Sequence, residues 1–334
     1  MRVFVTGGTG YFGQRLCRDI IGAGHRVFAL ARSIGSGAPL EAMGAEVVLG
    51  DVTVFDEAEV DLASFAAVIH SAALVRTRAK DPAEFDLVNV RGVANVARRA
   101  LDSGVKRFLY TSSFMALGPS PDGKPLDETA SHDPAHLHND YERTKYLGLV
   151  EFENWVARGL PGIVLIPCVI YGPGALTSGN ITAWLIADLI KRRLPGVLGD
   201  GRSVWTYSFV EDVVEGHIQA LSKGRPGQRY ILGGESLSMQ EFVDTAAYIA
   251  RVRPPRFHIP YWLAKVAALA DEVKSTISRR EPRLTRQVVE IYKHDWVYSC
   301  EKAKRDLDYR VTPARNALAQ TIDWIKMAIE EKKI

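Results

Sequence analysis

The chain has 334 residues, 47% of them hydrophobic, and a formal net charge of only +3. That length allows one large domain or two joined ones with ample core. Charges of both signs are spread along the chain, which excludes a basic nucleic-acid block or an acidic tail, and no apolar run reaches the ~18 residues of a bilayer span.

The opening "MRVFVTGG" leads directly into a strand over 2–7 that ends in glycine. A helix pattern follows from Gly10 to about Ala23. Apolar runs then predict strands at 25–32 (HRVFALAR), 45–51 (AEVVLGD) and 66–73 (AAVIHSAA). Residues 82–104 read as one long helix, 106–113 (KRFLYTSS) as a fifth strand and 162–172 (GIVLIPCVIYG) as a sixth. Between them lies a helix that starts near Tyr141 and runs to about Arg158. Strands that alternate with helices and are apolar nearly throughout predict a parallel sheet buried on both faces. The expected fold is therefore α/β: a doubly wound Rossmann domain with a smaller α+β substrate domain in the C-terminal half. The expected bounds are 1–171 with 204–222 returning to it, and 172–203 plus 223–334 for the second domain, where Gly and Pro become frequent.

In such sheets ligands bind outside the carboxyl ends of the strands. Gly7, Arg32, Asp51, Ala72, Ser113 and Pro167 stand at those ends. "TGGTGYFG" (6–13) links the first strand to the first helix. Gly7, Gly10 and Gly13 permit the tight turn, close approach of backbone to a pyrophosphate, and close helix–sheet packing, while the helix start offers free N–H groups. Tyr11 and Phe12 lie in the same loop, so this stretch is the expected dinucleotide cradle. Arg32 ends the second strand where a carboxylate would favour NAD; a guanidinium there can hold a 2′-phosphate, so NADP(H) is the expected cofactor and NAD(H) the alternative. Asp51, followed by Val52, either accepts the adenine amine or caps a turn. Small Ala72 and Ala73 let backbone approach the cofactor, or serve packing alone.

"YERTK" (141–145) puts a phenol and an ammonium one helical turn apart. Taken alone it is either a proton-transfer pair or a surface helix. Cys17, Cys168 and Cys300 form no CxxC or zinc spacing, and the eight histidines make no metal pattern, so no metal is expected. The sparse cysteines, and an opening that goes straight into a strand, predict a cytoplasmic chain without a signal peptide.

Together "TGGTGYFG", "GDVT", "HSAA", "NVRG", "YTSS", "YERTK", "IPCVIYGPG" and "FVEDV" resemble the extended short-chain dehydrogenase/reductase family, in that family's order from residue 6 to 213. "YTSSFMALG", "RRLPGVLG" and "HDWVYSCEKAK" are most similar to its dihydroflavonol reductase-like branch and, within it, to the farnesol dehydrogenase type of plants. The resemblance implies Tyr141 as acid/base, Lys145 as its partner and ribose holder, and Ser113 as a donor to the substrate oxygen. A lowered phenol pKa beside the Lys145 charge is implied with them. It also implies Pro167 and Val169 beside the nicotinamide amide, Asn89 bonding backbone near the cofactor, and a homodimer through the helices at 82–102 and 141–158. Asp212 is expected to cap a helix.

Departures from the family pattern bear on the substrate. Trp205 stands where the sugar-nucleotide branch carries an Arg for the diphosphate, and Met115 where epimerases often carry a hydroxyl. Gly118 replaces the Asn with which flavonoid reductases hold their substrate. The apolar segment 259–273 lines a greasy pocket or faces the core. An alcohol dehydrogenase/ketone reductase for a small apolar molecule is expected, with Met115 and Trp205 as pocket candidates. A nucleotide-sugar epimerase or dehydratase, supported by Asn180, and a non-catalytic NADP(H)-binding sensor are the alternatives.

Overall fold

The computed structural model describes residues 1–76, 81–175, 180–278, 282 and 284–331. The first half runs β1 (Arg2–Thr6), α1 (Tyr11–Gly22), β2 (Arg26–Ala31), α2 (Ile34–Ala42), β3 (Glu46–Leu49) and β4 (Ala67–His70). A continuous helix follows in three parts: α3 (Ala83–Asp86), a π-helical turn (Leu87–Arg91) and α4 (Gly92–Asp102). Then come β5 (Phe108–Thr111), α5 (Asp140–Ala157), β6 (Gly162–Pro167) and β7 (Val169–Tyr171). The expected sixth strand thus breaks after Pro167, which removes a ladder donor.

The second half runs α6 (Ile181–Ile190), β8 (Val197–Leu198), β9 (Val204–Phe209), α7 (Val210–Lys223), β10 (Arg229–Leu232), β11 (Ser236–Ser238), α8 (Met239–Ala250), β12 (His258–Ile259) and α9 (Tyr261–Ser278). It closes with α10 (Arg286–Ile291), α11 (Glu301–Leu307) and α12 (Ala314–Glu330).

Among the described residues the central sheet has seven strands in the order β10-β6-β5-β4-β1-β2-β3, every pair parallel. This is the doubly wound arrangement, with its reversal of strand order between β1 and β4. Alternation along β1 sends Phe4 to one buried layer and Val3 and Val5 to the other. Two smaller sheets, β11-β9-β7 and β12-β8, carry the C-terminal half.

The chain is more interleaved than the expected domain bounds. β10, expected in the substrate half, is the seventh strand of the central sheet: Tyr230 pairs with Leu165 and Ile231 with Ile166. Within 204–222, α7 packs against the central sheet, while β9 pairs with β7 and β11 outside it. Asp212 caps no helix; its carboxylate accepts from the Thr312 N–H at 2.7 Å and hydroxyl at 2.6 Å, tying α7 to the C-terminal segment. Segment 259–273, expected to line a pocket or face the core, does so only at its start: Pro260 and Tyr261 border an open groove and Ile259 and Tyr261 pack inward, whereas most large side chains beyond them face out. Ala264 and Ala268 of α9 are buried, while Trp262 and Val266 are exposed. No helix among the described residues is long and apolar enough to cross a membrane.

Candidate active site

The carboxyl ends of β1 and β4 meet closely. Gly7 has φ +77°, and a Cβ on it would lie 2.5 Å from the Ala72 backbone nitrogen. Ser71 Oγ donates to the Thr6 carbonyl at 2.7 Å, and the Ala72 N–H donates to Thr6 Oγ1 at 3.4 Å. Gly13 is still more constrained, because its Cβ would lie 2.0 Å from the Gly7 carbonyl oxygen. At Gly10 a Cβ would meet only that oxygen, at 3.5 Å. No side chain caps α1 and its first turn holds no acid, so its first N–H groups face that opening. A turn closed by Gly7 and Gly13, open above Gly10 and headed by uncapped N–H groups fits a pyrophosphate.

The Tyr11 and Phe12 side chains are occupied by packing. Tyr11 donates to the Gly172 carbonyl at 3.0 Å, and Phe12 lies 4.8 Å from the His217 ring. Arg32 is exposed just beyond β2. Asp51 caps the following turn, its Oδ1 accepting from the Thr53 N–H and hydroxyl, both at 2.9 Å. Val52 is buried and Ala73 half-buried. Pro167 ends β6 and half-buried Val169 begins β7.

Each residue of "YERTK" has a defined place. Asn139 caps α5 by accepting from the Glu142 N–H at 2.8 Å, which sets Tyr141 in the first turn. Burial pushes the Tyr141 phenol up in pKa, and the Ser113 hydroxyl beside it acts in the opposite direction. The expected lowering by Lys145 is not what acts within the chain's own groups. Lys145 is itself buried, its pKa pulled down to about 7 by desolvation. Its Nζ donates to the Thr111 carbonyl at 3.2 Å and sits 5.3 Å from the centre of the Tyr110 ring.

The three residues between them anchor the helix. Glu142 is fully buried; one oxygen is 2.7 Å from His132 Nε2 and the other accepts from the His138 N–H at 2.7 Å. Arg143 forms a two-point pair with Asp86 at 2.8 and 2.6 Å. Thr144 accepts from Asn89 Nδ2 at 3.0 Å, while Asn89 Oδ1 accepts from the Leu74 N–H at 2.7 Å. Asn89 lies in the π-helical turn and so joins the loop after β4 to α5. A Cβ at Gly148 would lie 2.4 Å from the Asn89 carbonyl, so this contact requires glycine. π-helical turns commonly mark functional sites.

Ser113 ends the segment after β5, and its Oγ also accepts from the Met115 N–H at 3.3 Å. Behind it stands an aromatic wall. Phe114 lies edge-on to Trp205 at 6.2 Å and to Trp296 at 5.4 Å, and Trp205 stacks on Tyr292 at 4.7 Å. Met115 and Trp205, expected in the pocket, are both buried in the core, and Trp205 Nε1 has no partner among the described residues. Sequence reasoning missed Glu142, His132, Tyr292, Trp296 and Tyr298. The alternation of Trp296 and Tyr298 was the available signal for a strand-like aromatic segment; Tyr298 bonds the Phe114 carbonyl at 3.2 Å. Asn180 is buried, and both ends of its amide lack a partner among the described residues. No group of three or more potential metal ligands occurs among them.

A parallel doubly wound sheet, a glycine cradle at its switch point and a Ser–Tyr–Lys set beside it define a nicotinamide-dependent oxidoreductase. Residues 3–233 match the NAD dependent epimerase/dehydratase family, and the chain belongs to that family, in its dihydroflavonol reductase-like extended short-chain dehydrogenase/reductase branch. It is 28% identical to a putative dihydroflavonol 4-reductase of Synechocystis sp. over 97% of this chain and 94% of that one. It is 27% identical to sterol demethylase protein B of Methylococcus capsulatus over 98% of each. Among solved structures, that of gox2253 superimposes with a TM-score of 0.81 at 30% identity, covering 97% of this chain and 98% of the other.

Proposed function

We propose that the chain interconverts a small apolar alcohol and its aldehyde or ketone, of prenyl, sterol-like or aryl type, with NADP(H) as the preferred cofactor. A nicotinamide held there would supply or accept the hydride. Tyr141 passes the proton to or from the substrate oxygen. Burial keeps its phenol protonated, which suits donation during reduction. Ser113 donates to the same oxygen as it gains charge. Lys145 would hold the ribose hydroxyls, Asn89 fixes the loop facing the cofactor, and Arg32 would hold a 2′-phosphate. In this reading Gly7, Gly10, Tyr11, Phe12 and Gly13 cradle the pyrophosphate through backbone, with Asp51, Val52, Ala72, Ala73, Pro167 and Val169 along the rest of the cofactor.

The observation that carries the apolar substrate is the aromatic cluster that Phe114, next to Ser113, forms with Trp205, Tyr292 and Trp296, of which Phe114, Trp205 and Trp296 are buried. Aromatic packing next to Ser113 suits an apolar ring or chain, and Trp205 itself gives a diphosphate nothing to pair with. A relative named for sterol demethylation accords with it. The reading includes a cytoplasmic homodimer. Phe85 and Val93 face inward, whereas Leu87 and Val150 are exposed on the helices that would pair.

A second reading, a sugar-nucleotide epimerase or dehydratase, is favoured by one observation: the buried amide of Asn180, without a partner among the described residues, suits a polar substrate. Competition against the best alcohol substrate separates the two. The first reading expects affinity to rise with chain length by up to about 0.8 kcal/mol per buried methylene. Inhibition by UDP-glucose without any chain-length trend would favour the second.

A further inference from the structure

α9 is built in the opposite sense to an ordinary surface helix. Small Ala264 and Ala268 face inward, against Val289 and Leu284. The large apolar side chains face out: Trp262 is 68% exposed, Val266 58% and Val273 54%, with Leu263 and Leu269 beside them. Positions 262, 266, 269 and 273 fall on one stripe roughly 16 Å long. Phe257, 74% exposed, stands just before the helix. A contiguous exposed apolar surface of this kind marks an interaction site.

The charges around the stripe are sorted. The acids of α9 turn to the chain itself: Asp271 accepts from the Leu284 N–H at 3.2 Å, and Glu272 from the backbone N–H and Nε of Arg286 at 2.8 and 3.1 Å. Arg251, Arg253 and Arg256 are exposed on the segment leading to Phe257. Arg192 and Arg193 are exposed at the end of α6, and β8 brings them alongside, with the Val197 N–H donating to the Phe257 carbonyl at 2.9 Å. These five arginines carry no ion pair among the described residues.

We propose that this face docks on an anionic lipid surface, with α9 lying in the headgroup region, its apolar stripe inserted and the arginines on lipid phosphates. An apolar stripe containing Trp, beside unpaired guanidinium groups, is the chemistry of an interfacial helix. A second copy of the chain fits less well, because a two-fold contact would bring the same arginines together. The root of α9 borders an open groove of mixed charge, lined by Asp200, Arg202, Pro260, Tyr261, Lys293 and Asp295. Tyr261 donates to the Tyr292 carbonyl at 3.0 Å, and the Tyr292 ring stacks on Trp205. Tyr261 therefore links the root of α9 to the aromatic cluster through Tyr292; that the docking face serves substrate delivery rests on the proposed apolar substrate, whereas docking itself does not.

The test is flotation of the full chain with phosphatidylcholine vesicles, with and without phosphatidylglycerol, which reads binding without any turnover. The wild type should float with the anionic vesicles and much less with the neutral ones. Trp262→Ser with Val266→Ser should reduce flotation by about tenfold or more. Arg253→Ser and Arg256→Ser should each cost about fivefold on anionic vesicles only. Unchanged melting temperatures would confirm that the variants fold. Absence of wild-type flotation, or equal flotation of the double variant, would overturn the proposal. So would a wild-type oligomer that falls apart in the double variant while neither protein floats, since the face would then join two copies.

Discussion

Replacing Lys145 by Met should make the folded chain more stable at neutral pH while abolishing its turnover. Burial moves this ammonium from its ordinary 10.5 to about 7. At 1.36 kcal/mol per pKa unit, the folded state carries a cost of roughly 4–5 kcal/mol for holding the charge. The folded pKa lies below the unfolded one, so between about 7 and 10.5 the unfolded chain binds more protons. Stability should then rise with pH across that window. The cost is full below about pH 7 and gone above about 10.5. Met keeps the stem without the charge and loses only the bond to the Thr111 carbonyl, worth about 1–2 kcal/mol. The net gain at pH 7 should be about 2–4 kcal/mol, shrinking and then reversing as pH rises towards 10.5. Urea unfolding of both proteins from pH 6 to 10 measures this. A variant less stable than wild type at pH 7, or a difference that does not vary with pH, would refute the reasoning.

Gly13→Ala should weaken cofactor binding and lower the melting temperature, because its Cβ would sit 2.0 Å from the Gly7 carbonyl; fluorescence titration with NADPH checks it. Glu142→Ala leaves buried His132 Nε2 and the His138 N–H without their partner and should cost about 1–3 kcal/mol for each in urea unfolding. Arg32→Ala should weaken NADP⁺ by about tenfold and leave NAD⁺ nearly unchanged. A wild type that already binds NAD⁺ more tightly would remove the 2′-phosphate argument.

Strands 2–7, 25–32 and 106–113 were legible because a strand buried on both faces is an unbroken apolar run; the observed elements are shorter by at most two residues at either end. β10 was not legible, because "RYIL" is too short to declare whether it joins the central sheet or a smaller one. The glycine loop could be read in detail, since only glycine satisfies the contacts at positions 7 and 13. The anchoring of α5 could not. Glu142 meets His132, and Arg143 meets Asp86, through tertiary pairing that no local spacing encodes. Segment 259–273 shows the limit of periodicity: its pattern revealed a stripe, but not that alanines would face the protein and the large residues the outside.

The central claim is net hydride transfer with Tyr141 as the proton carrier. The direct measurement is turnover of an apolar ketone or aldehyde with NADPH deuterated at nicotinamide C4, in wild type and Tyr141→Phe. The account predicts deuterium on the carbinol carbon of the product, and a rate lower by about 10² or more in the variant with cofactor affinity nearly unchanged. Product without the label, or a Tyr141→Phe variant as fast as wild type, would contradict it.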